Sequence, residues 1–250
     1  MKVEPLAGKI GARVTEIDLG KLDDALFEEV AQALWQHQVL VFPAQNLAIE
    51  DHVAVGKRFG PLHTHPAAAG VDGHPEILLL RNRGKSKNIT QVWHSDVSCE
   101  TEPPSISILQ AIEVPPYGGD TMWANQYEAL ERLSPGMRDM LAPMRARHKG
   151  FEIEETHPVV RTHPETGKKA LYVNGGFTYS FENMSSEDSQ PLLDYLVKVG
   201  STPDLTMRHR WSVGDIVMWD NRCVMHYAIH DYDDMPREMH RVTVRGERPV

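Results

Sequence analysis

Trp93-His94-Ser95-Asp96, answered far downstream by Trp219-Asp220-Asn221-Arg222-Cys223-Val224-Met225-His226, decides how this chain is read. On an extended strand His94 and Asp96 leave the same face, because side chains alternate with a period of two. Two imidazoles and one carboxylate form the facial donor set that holds mononuclear iron(II) and leaves coordination positions open, which points to oxygen chemistry. Such a set needs a cavity with rigid walls, and the rest of the sequence supplies the walls.

Short β-rich runs bounded by turn residues recur at 12–17, 39–43, 76–80, 105–114, 170–173, 216–219 and 240–245. Helical patterns are fewer. One covers 23–37, with Leu22, Leu26, Val30, Leu34 and Trp35 on one face, a second covers 49–59, and a third covers 185–199 behind a Ser-Ser-Glu-Asp cap signature. The pattern predicts a mainly β fold with flanking helices, a double-stranded β-helix or jelly roll whose inward side chains surround a central cavity. No internal repeat, low-complexity tract or Gly/Ser linker interrupts it, so 1–250 is expected to be one domain.

At 250 residues the chain can bury a large core. A net charge of -9 with no run of Lys or Arg argues against a nucleic-acid partner and leaves a small molecule as the expected one. Two cysteines, Cys99 and Cys223, are too few for a disulfide framework. The start lacks the apolar core of a signal peptide, and no apolar run approaches the roughly 20 residues that span a bilayer. No membrane partner is therefore expected, and a cytoplasmic enzyme fits.

Gly11-Ala12-Arg13-Val14, His37-Gln38-Val39-Leu40-Val41-Phe42, Arg58-Phe59-Gly60-Pro61-Leu62-His63-Thr64-His65-Pro66, Trp93-His94-Ser95-Asp96, Gly118-Gly119-Asp120-Thr121, His157-Pro158-Val159-Val160-Arg161-Thr162-His163-Pro164 and the segments of His226 and Arg241 occur in that order. Together, over nearly the full length, they resemble the taurine dioxygenase (TauD/TfdA) family of iron(II)- and 2-oxoglutarate-dependent dioxygenases. The resemblance implies that His94, Asp96 and His226 are the iron ligands and catalytic centre, with 2-oxoglutarate as cosubstrate and O2 as oxidant. It assigns Arg237 and Thr121 to 2-oxoglutarate, His65 and Arg241 to the substrate anion, and Trp93 and Phe177 to the pocket walls. Arg237 and Arg241 follow His226 by 11 and 15 residues, so on a strand both face one way. A guanidinium meets a carboxylate through two parallel hydrogen bonds, which lysine cannot do.

The expected reaction hydroxylates a small anionic organic substrate, a taurine-like alkylsulfonate or alkyl sulfate ester, and releases succinate and CO2. An aryloxyalkanoate or other small carboxylate is the alternative substrate. From a different class, a non-catalytic metal-binding jelly roll or a zinc hydrolase would keep the three ligands but would need neither Arg237 nor Thr121.

Taurine-specific relatives carry an aromatic hydroxyl shortly after the His-x-His-Pro motif, where this chain has Ala67, Ala68 and Ala69. The insertion that closes over the substrate is also short, reduced to 149–156 with acidic Glu152, Glu154 and Glu155. That leaves an open site, or one completed by a second copy in a homo-oligomer. His63-Thr64-His65 lacks the glutamate that follows in cupin metal sites. His226 and His230 lack the intervening glutamate of a helical zinc-protease pair. His37, His52, His74, His148, His157, His163, His209 and His240 read as solvated or hydrogen-bonded.

Overall fold

Val39–Phe42 is four apolar residues in a row, all buried, because the strand is covered on both faces. It lies inside an eight-stranded sheet, in the computed structural model of the chain, which describes residues 1–65, 70–71, 73–82 and 91–250. The strand order is Lys2–Pro5, Ala12–Thr15, Val39–Phe42, Ile216–Asp220, Ile106–Glu113, Arg237–Thr243, His74–Asn82 and Gly70–Val71. All pairings are antiparallel except Ala12–Thr15 with Val39–Phe42. A second sheet orders Thr206–His209, Thr121–Asn125 and Val224–Ala228. Apolar side chains from the two sheets, among them Val41, Leu109, Val217 and Met239 from the first and Trp123, Met207 and Val224 from the second, merge into one core. This is the jelly roll, mainly β with flanking helices.

The outer face of the large sheet is closed by helices Asp24–His37 and Ile49–Phe59. Val30, Leu34, Val53 and Val55 pack on Leu40, Phe42, Ile108 and Met218. Asp23 caps the first of these helices, its Oδ1 accepting from the Leu26 N–H at 2.8 Å. The left-handed Gln38 (φ 62°) ends it and turns the chain straight into Val39–Phe42. Helix Ser186–Gly200, capped by Ser185, lies on a third cluster with Gln126–Arg132.

The runs expected as strands at 12–17, 39–43, 76–80, 105–114, 170–173, 216–219 and 240–245 all coincide with observed strands, and the three helices lie where the periodicity places them. Several strands carry no such signal. Arg145–Gly150 is RARHKG, with one face buried through Ala146 and His148 and the other charged, so it lacks a β-branched run. One expectation is corrected. The segment 149–156 is not a connecting loop but the tip and second strand of a hairpin, Arg145–Gly150 with Ile153–Pro158, closed by Phe151 and Glu152 at φ 50° and 62°. Ala67, Ala68 and Ala69 lie outside the described residues.

Three buried histidines away from the cavity set an acid limit. Burial pushes His52 and His157 down to about 4 and His148 well below the ordinary imidazole value. They stay neutral in the folded protein while an unfolded chain takes up protons from about pH 6.5 downwards. Stability should therefore be flat above about pH 7. Between about pH 6 and 4 it should fall by about 1.4 kcal/mol per pH unit for each of His52 and His157. Urea midpoints measured from pH 8 to 4.5 test this, and an unchanged midpoint between pH 7 and 5 would contradict it.

Candidate metal centre and adjoining cavity

His94 and His226 are brought together by backbone pairing. The His94 N–H donates to the His226 carbonyl at 3.0 Å, the His226 N–H donates to the His94 carbonyl at 2.7 Å, and the two rings lie 4.1 Å apart. Asp96 does not continue a strand as the alternation argument expects. It begins a turn over 96–99 in which Val97 takes φ 42°, a conformation unfavourable for a β-branched residue. Val97 is held there by packing with Cys99 and Phe177. The turn still aims Asp96 at the imidazoles. One ligand atom from each of His94, Asp96 and His226 lies within 4.8 Å of the others, and all three residues are buried.

The protonation states suit a cation. The His94 Nδ1 lies 2.8 Å from the Val92 carbonyl, which can only accept, so Nδ1 carries the proton and Nε2 keeps its lone pair. Burial lowers the pKa of His94, and burial with His94 beside it pushes His226 well down. Burial alone would raise the Asp96 carboxyl, but Arg241, His226, His94 and the Ser107 hydroxyl hold it well below the usual carboxylate range. The His226 Nδ1 is buried with no hydrogen-bond partner. Two neutral imidazoles and a carboxylate anion fit a mononuclear divalent metal of the iron(II) type.

Asp96 is fixed by three contacts. Its Oδ1 accepts from the Arg241 Nη1 at 2.5 Å, its Oδ2 accepts from the Ser107 hydroxyl at 2.7 Å, and its N–H donates to the Asn221 Oδ1 at 3.2 Å. Asn221 also donates through Nδ2 to the Ser107 hydroxyl at 2.9 Å, which turns that hydroxyl proton toward Asp96. Ser107→Ala leaves two buried polar groups unpaired. It is expected to weaken Co(II) binding by about 10-fold, the lower end of what losing such a supporting partner costs. Equilibrium dialysis against Co(II) checks this, and an unaltered dissociation constant would remove Ser107 from the support of Asp96.

A second trio, His163, Asp220 and Cys223, also brings potential ligands together. Its donors are already used. The His163 Nδ1 accepts from the N–H groups of Glu165 and Thr166, its Nε2 donates to Asp220 at 2.9 Å, and both Asp220 oxygens accept from Arg222. Burial raises the Cys223 thiol well above its ordinary value, so no thiolate is on offer.

The three residues open on a cavity of about 470 Å³ that is also lined by His65, Thr121, Phe151, Phe177, Arg237 and Arg241. Strand Arg237–Thr243 turns both arginines inward, with the buried Met239 between them on the same face. Arg241 is buried against Asp96, whereas Arg237 makes no ion pair with any described carboxylate and bonds the Gly119 carbonyl through Nε at 3.2 Å. Arg237 forms no ion pair with the nearby carboxylates Asp233, Asp234 and Glu238, and Glu238 pairs with Arg81 instead. The Thr121 hydroxyl accepts from the Trp211 Nε1 at 3.0 Å, leaving its own proton to donate.

Trp93 is not brought into the cavity. Period-two alternation turns it away from His94, and its ring packs 5.6 Å from Tyr227. Phe151, which the sequence reading passed over, takes that place as an aromatic wall. Its ring lies 4.9 Å from His65 and 6.0 Å from Phe177. The sign in sequence was the two-residue connection that puts it at a hairpin tip. Gly150 keeps this wall close, since a Cβ there would come within 2.7 Å of the Phe177 ring. His63 pairs with Glu100 at 2.7 Å and is structural.

A jelly roll with two imidazoles and a carboxylate at one cavity is a scaffold that offers a single divalent metal a facial set of donors. The chain belongs to the taurine catabolism dioxygenase TauD, TfdA family, whose model matches residues 2–243. It is 34% identical to an alpha-ketoglutarate-dependent sulfonate dioxygenase of Saccharomyces cerevisiae, over 100% of this chain and 68% of that one. It is 34% identical to an alpha-ketoglutarate-dependent sulfate ester dioxygenase of Pseudomonas putida, over 100% and 91%. The crystal structure of a taurine dioxygenase from Burkholderia xenovorans superposes with a TM-score of 0.92 at 36% identity, covering 100% of this chain and 92% of the other. The protein is an enzyme of the 2-oxoglutarate-dependent dioxygenase class. Among the described residues no helix is long and apolar enough to cross a membrane.

Proposed function

We propose that this dioxygenase holds iron(II) on His94, Asp96 and His226 and hydroxylates a small organic anion, a sulfonate or sulfate ester without an amino group. The observation that carries the reading is the pair of inward-facing arginines, one of them with no ion pair to a described carboxylate, in the same cavity as the metal-ligating trio. A partly buried guanidinium without a counter-charge is a site for an anion. In this reading Arg237 takes the distal carboxylate of 2-oxoglutarate and Thr121 donates to it.

Iron(II) held there, with 2-oxoglutarate and dioxygen, supplies an oxidative decarboxylation that puts one oxygen atom into succinate and the other into a substrate C–H bond, with loss of carbon dioxide. The residues position and shield. Arg241 and His65 present donors to the substrate anion, and Phe151 and Phe177 keep water from the reacting carbon. Hydroxylation at a carbon bearing sulfonate gives a product that loses the hydroxyl proton. Its C–S bond then breaks with the electron pair leaving on sulfite, and an aldehyde remains.

The lining favours alkyl over amino-substituted substrates. Asp96 is the one carboxylate among the described lining residues and is committed to Arg241; outside the described residues the sequence offers only Asp72. A substrate ammonium would lie beside a guanidinium with no free carboxylate among the described lining residues. The buried, unpaired thiols Cys99 and Cys223 fit a reducing, cytoplasmic setting.

The test is anaerobic addition of iron(II) and 2-oxoglutarate, followed by succinate assay in air with alkanesulfonates, alkyl sulfates, 2-aminoethanesulfonate and aryloxyacetates. A weak visible charge-transfer band, and succinate release stimulated most by the alkyl compounds, are expected. Absence of the band and of succinate with every compound would overturn the reading.

A further inference from the structure

Gly118-Gly119-Asp120-Thr121 places one residue, Thr121, on the cavity, and the three before it lie behind Arg237. Gly118 and Gly119 both have left-handed backbones, φ 73° and 71°. A Cβ on Gly118 would come within 2.8 Å of the Asp231 carbonyl oxygen, and one on Gly119 would meet the Arg237 Cδ and Nε at 3.3 Å. The turn is thus pressed between Asp231 on one side and Arg237 on the other, and only glycine has room for both. The Gly119 N–H donates to the Asp231 Oδ1 at 2.8 Å, and the Gly119 carbonyl accepts from the Arg237 Nε at 3.2 Å. Gly119 ties a carboxylate to a guanidinium through two successive peptide groups, its N–H in the first and its carbonyl in the second.

The N–H bonded by Asp231 lies in the Gly118–Gly119 peptide and the carbonyl bonded by Arg237 in the Gly119–Asp120 peptide, so Asp231 acts on Arg237 by fixing where Gly119 sits. Asp231 is outside the cavity and exposed, and its Oδ2 lies 3.8 Å from the Arg208 Nη2, while the Arg208 Nε bonds Asp120 at 2.6 Å. The Ile229 N–H donates to the Asp120 carbonyl at 2.9 Å, so the segment after His226 and the Gly-Gly turn are tied from both directions.

We propose that Asp231 is a positioning residue for 2-oxoglutarate, fixing Gly119 so that its carbonyl anchors Arg237 by the Nε and leaves the two Nη groups directed to the cosubstrate carboxylate. This rests on the assignment of Arg237 to 2-oxoglutarate. A guanidinium held at Nε loses less freedom when an anion binds, because its plane is already set.

The experiment measures 2-oxoglutarate binding to Co(II)-loaded protein by anaerobic titration calorimetry, with Co(II) affinity and melting temperature recorded alongside. Asp231→Ala should raise the 2-oxoglutarate dissociation constant about 10-fold and leave that of Co(II) within twofold. Asp231→Asn keeps an oxygen acceptor without the charge and should recover part of the loss. In turnover the change should fall on KM for 2-oxoglutarate more than on kcat. A 2-oxoglutarate dissociation constant within twofold of wild type in Asp231→Ala overturns the proposal, as does an equal loss of Co(II) affinity, which marks a merely structural residue. Wild-type protein that binds no 2-oxoglutarate would overturn the assignment of Arg237 itself, and the proposal with it.

Discussion

Asp96→Ala is expected to weaken Co(II) binding by more than 100-fold, beyond the roughly 10- to 100-fold that follows loss of a supporting partner. It should also lower stability by about 3–5 kcal/mol, because Arg241 would stay buried without its carboxylate. The two effects separate in a double variant. Asp96→Ala with Arg241→Met removes both charges, so part of the stability should return while metal binding does not. Urea unfolding and calorimetric titration with Co(II) on the two single variants and the double give the coupling between the residues. A double variant that loses the sum of the two single losses would show that the 2.5 Å contact carries no energy.

Arg237→Ala should raise the 2-oxoglutarate dissociation constant on the order of 100-fold, equivalent to about 2.7 kcal/mol, with Co(II) affinity unmoved. Arg237→Lys should restore only a fraction, since an ammonium cannot make the two parallel contacts of a guanidinium. The same titration separates the proposed reaction from zinc hydrolysis or simple metal storage on this scaffold. Those roles need no anion clamp, so a 2-oxoglutarate affinity indifferent to Arg237 would favour them.

The site was legible in the sequence to the extent that its residues sit at fixed spacings. The inward turn of Arg237 and Arg241 followed from their even separation, and the structure places both on one cavity with Thr121. The strands that carry large apolar residues on both faces, such as Val39–Phe42, were legible for the same reason: burial on two sides leaves no polar alternation to obscure them. Contacts that depend on the third dimension were not. Nothing local to Asp96 announces Arg241, Ser107 or Asn221, which reach it from two other strands and a turn. The alternation rule applied to Trp93 would have turned it away from His94, whereas family likeness suggested a wall. Phe151 was hidden because a polar hairpin such as Arg145–Gly150 with Ile153–Pro158 looks like a loop until its partner strand is known.

The reciprocal backbone bonds between His94 and His226 bear on how the protein reaches its active form. Two of the three ligands meet only when a bridge forms between segments far apart in the chain, a kind of contact that closes late because a long loop must be ordered first. A nascent chain or a partly folded intermediate therefore offers an incoming ion two separate imidazoles rather than a chelate. Metallation becomes a reporter of completed folding: the rate at which Co(II) is captured during refolding should follow closure of the barrel and become independent of metal concentration once the ion is in excess.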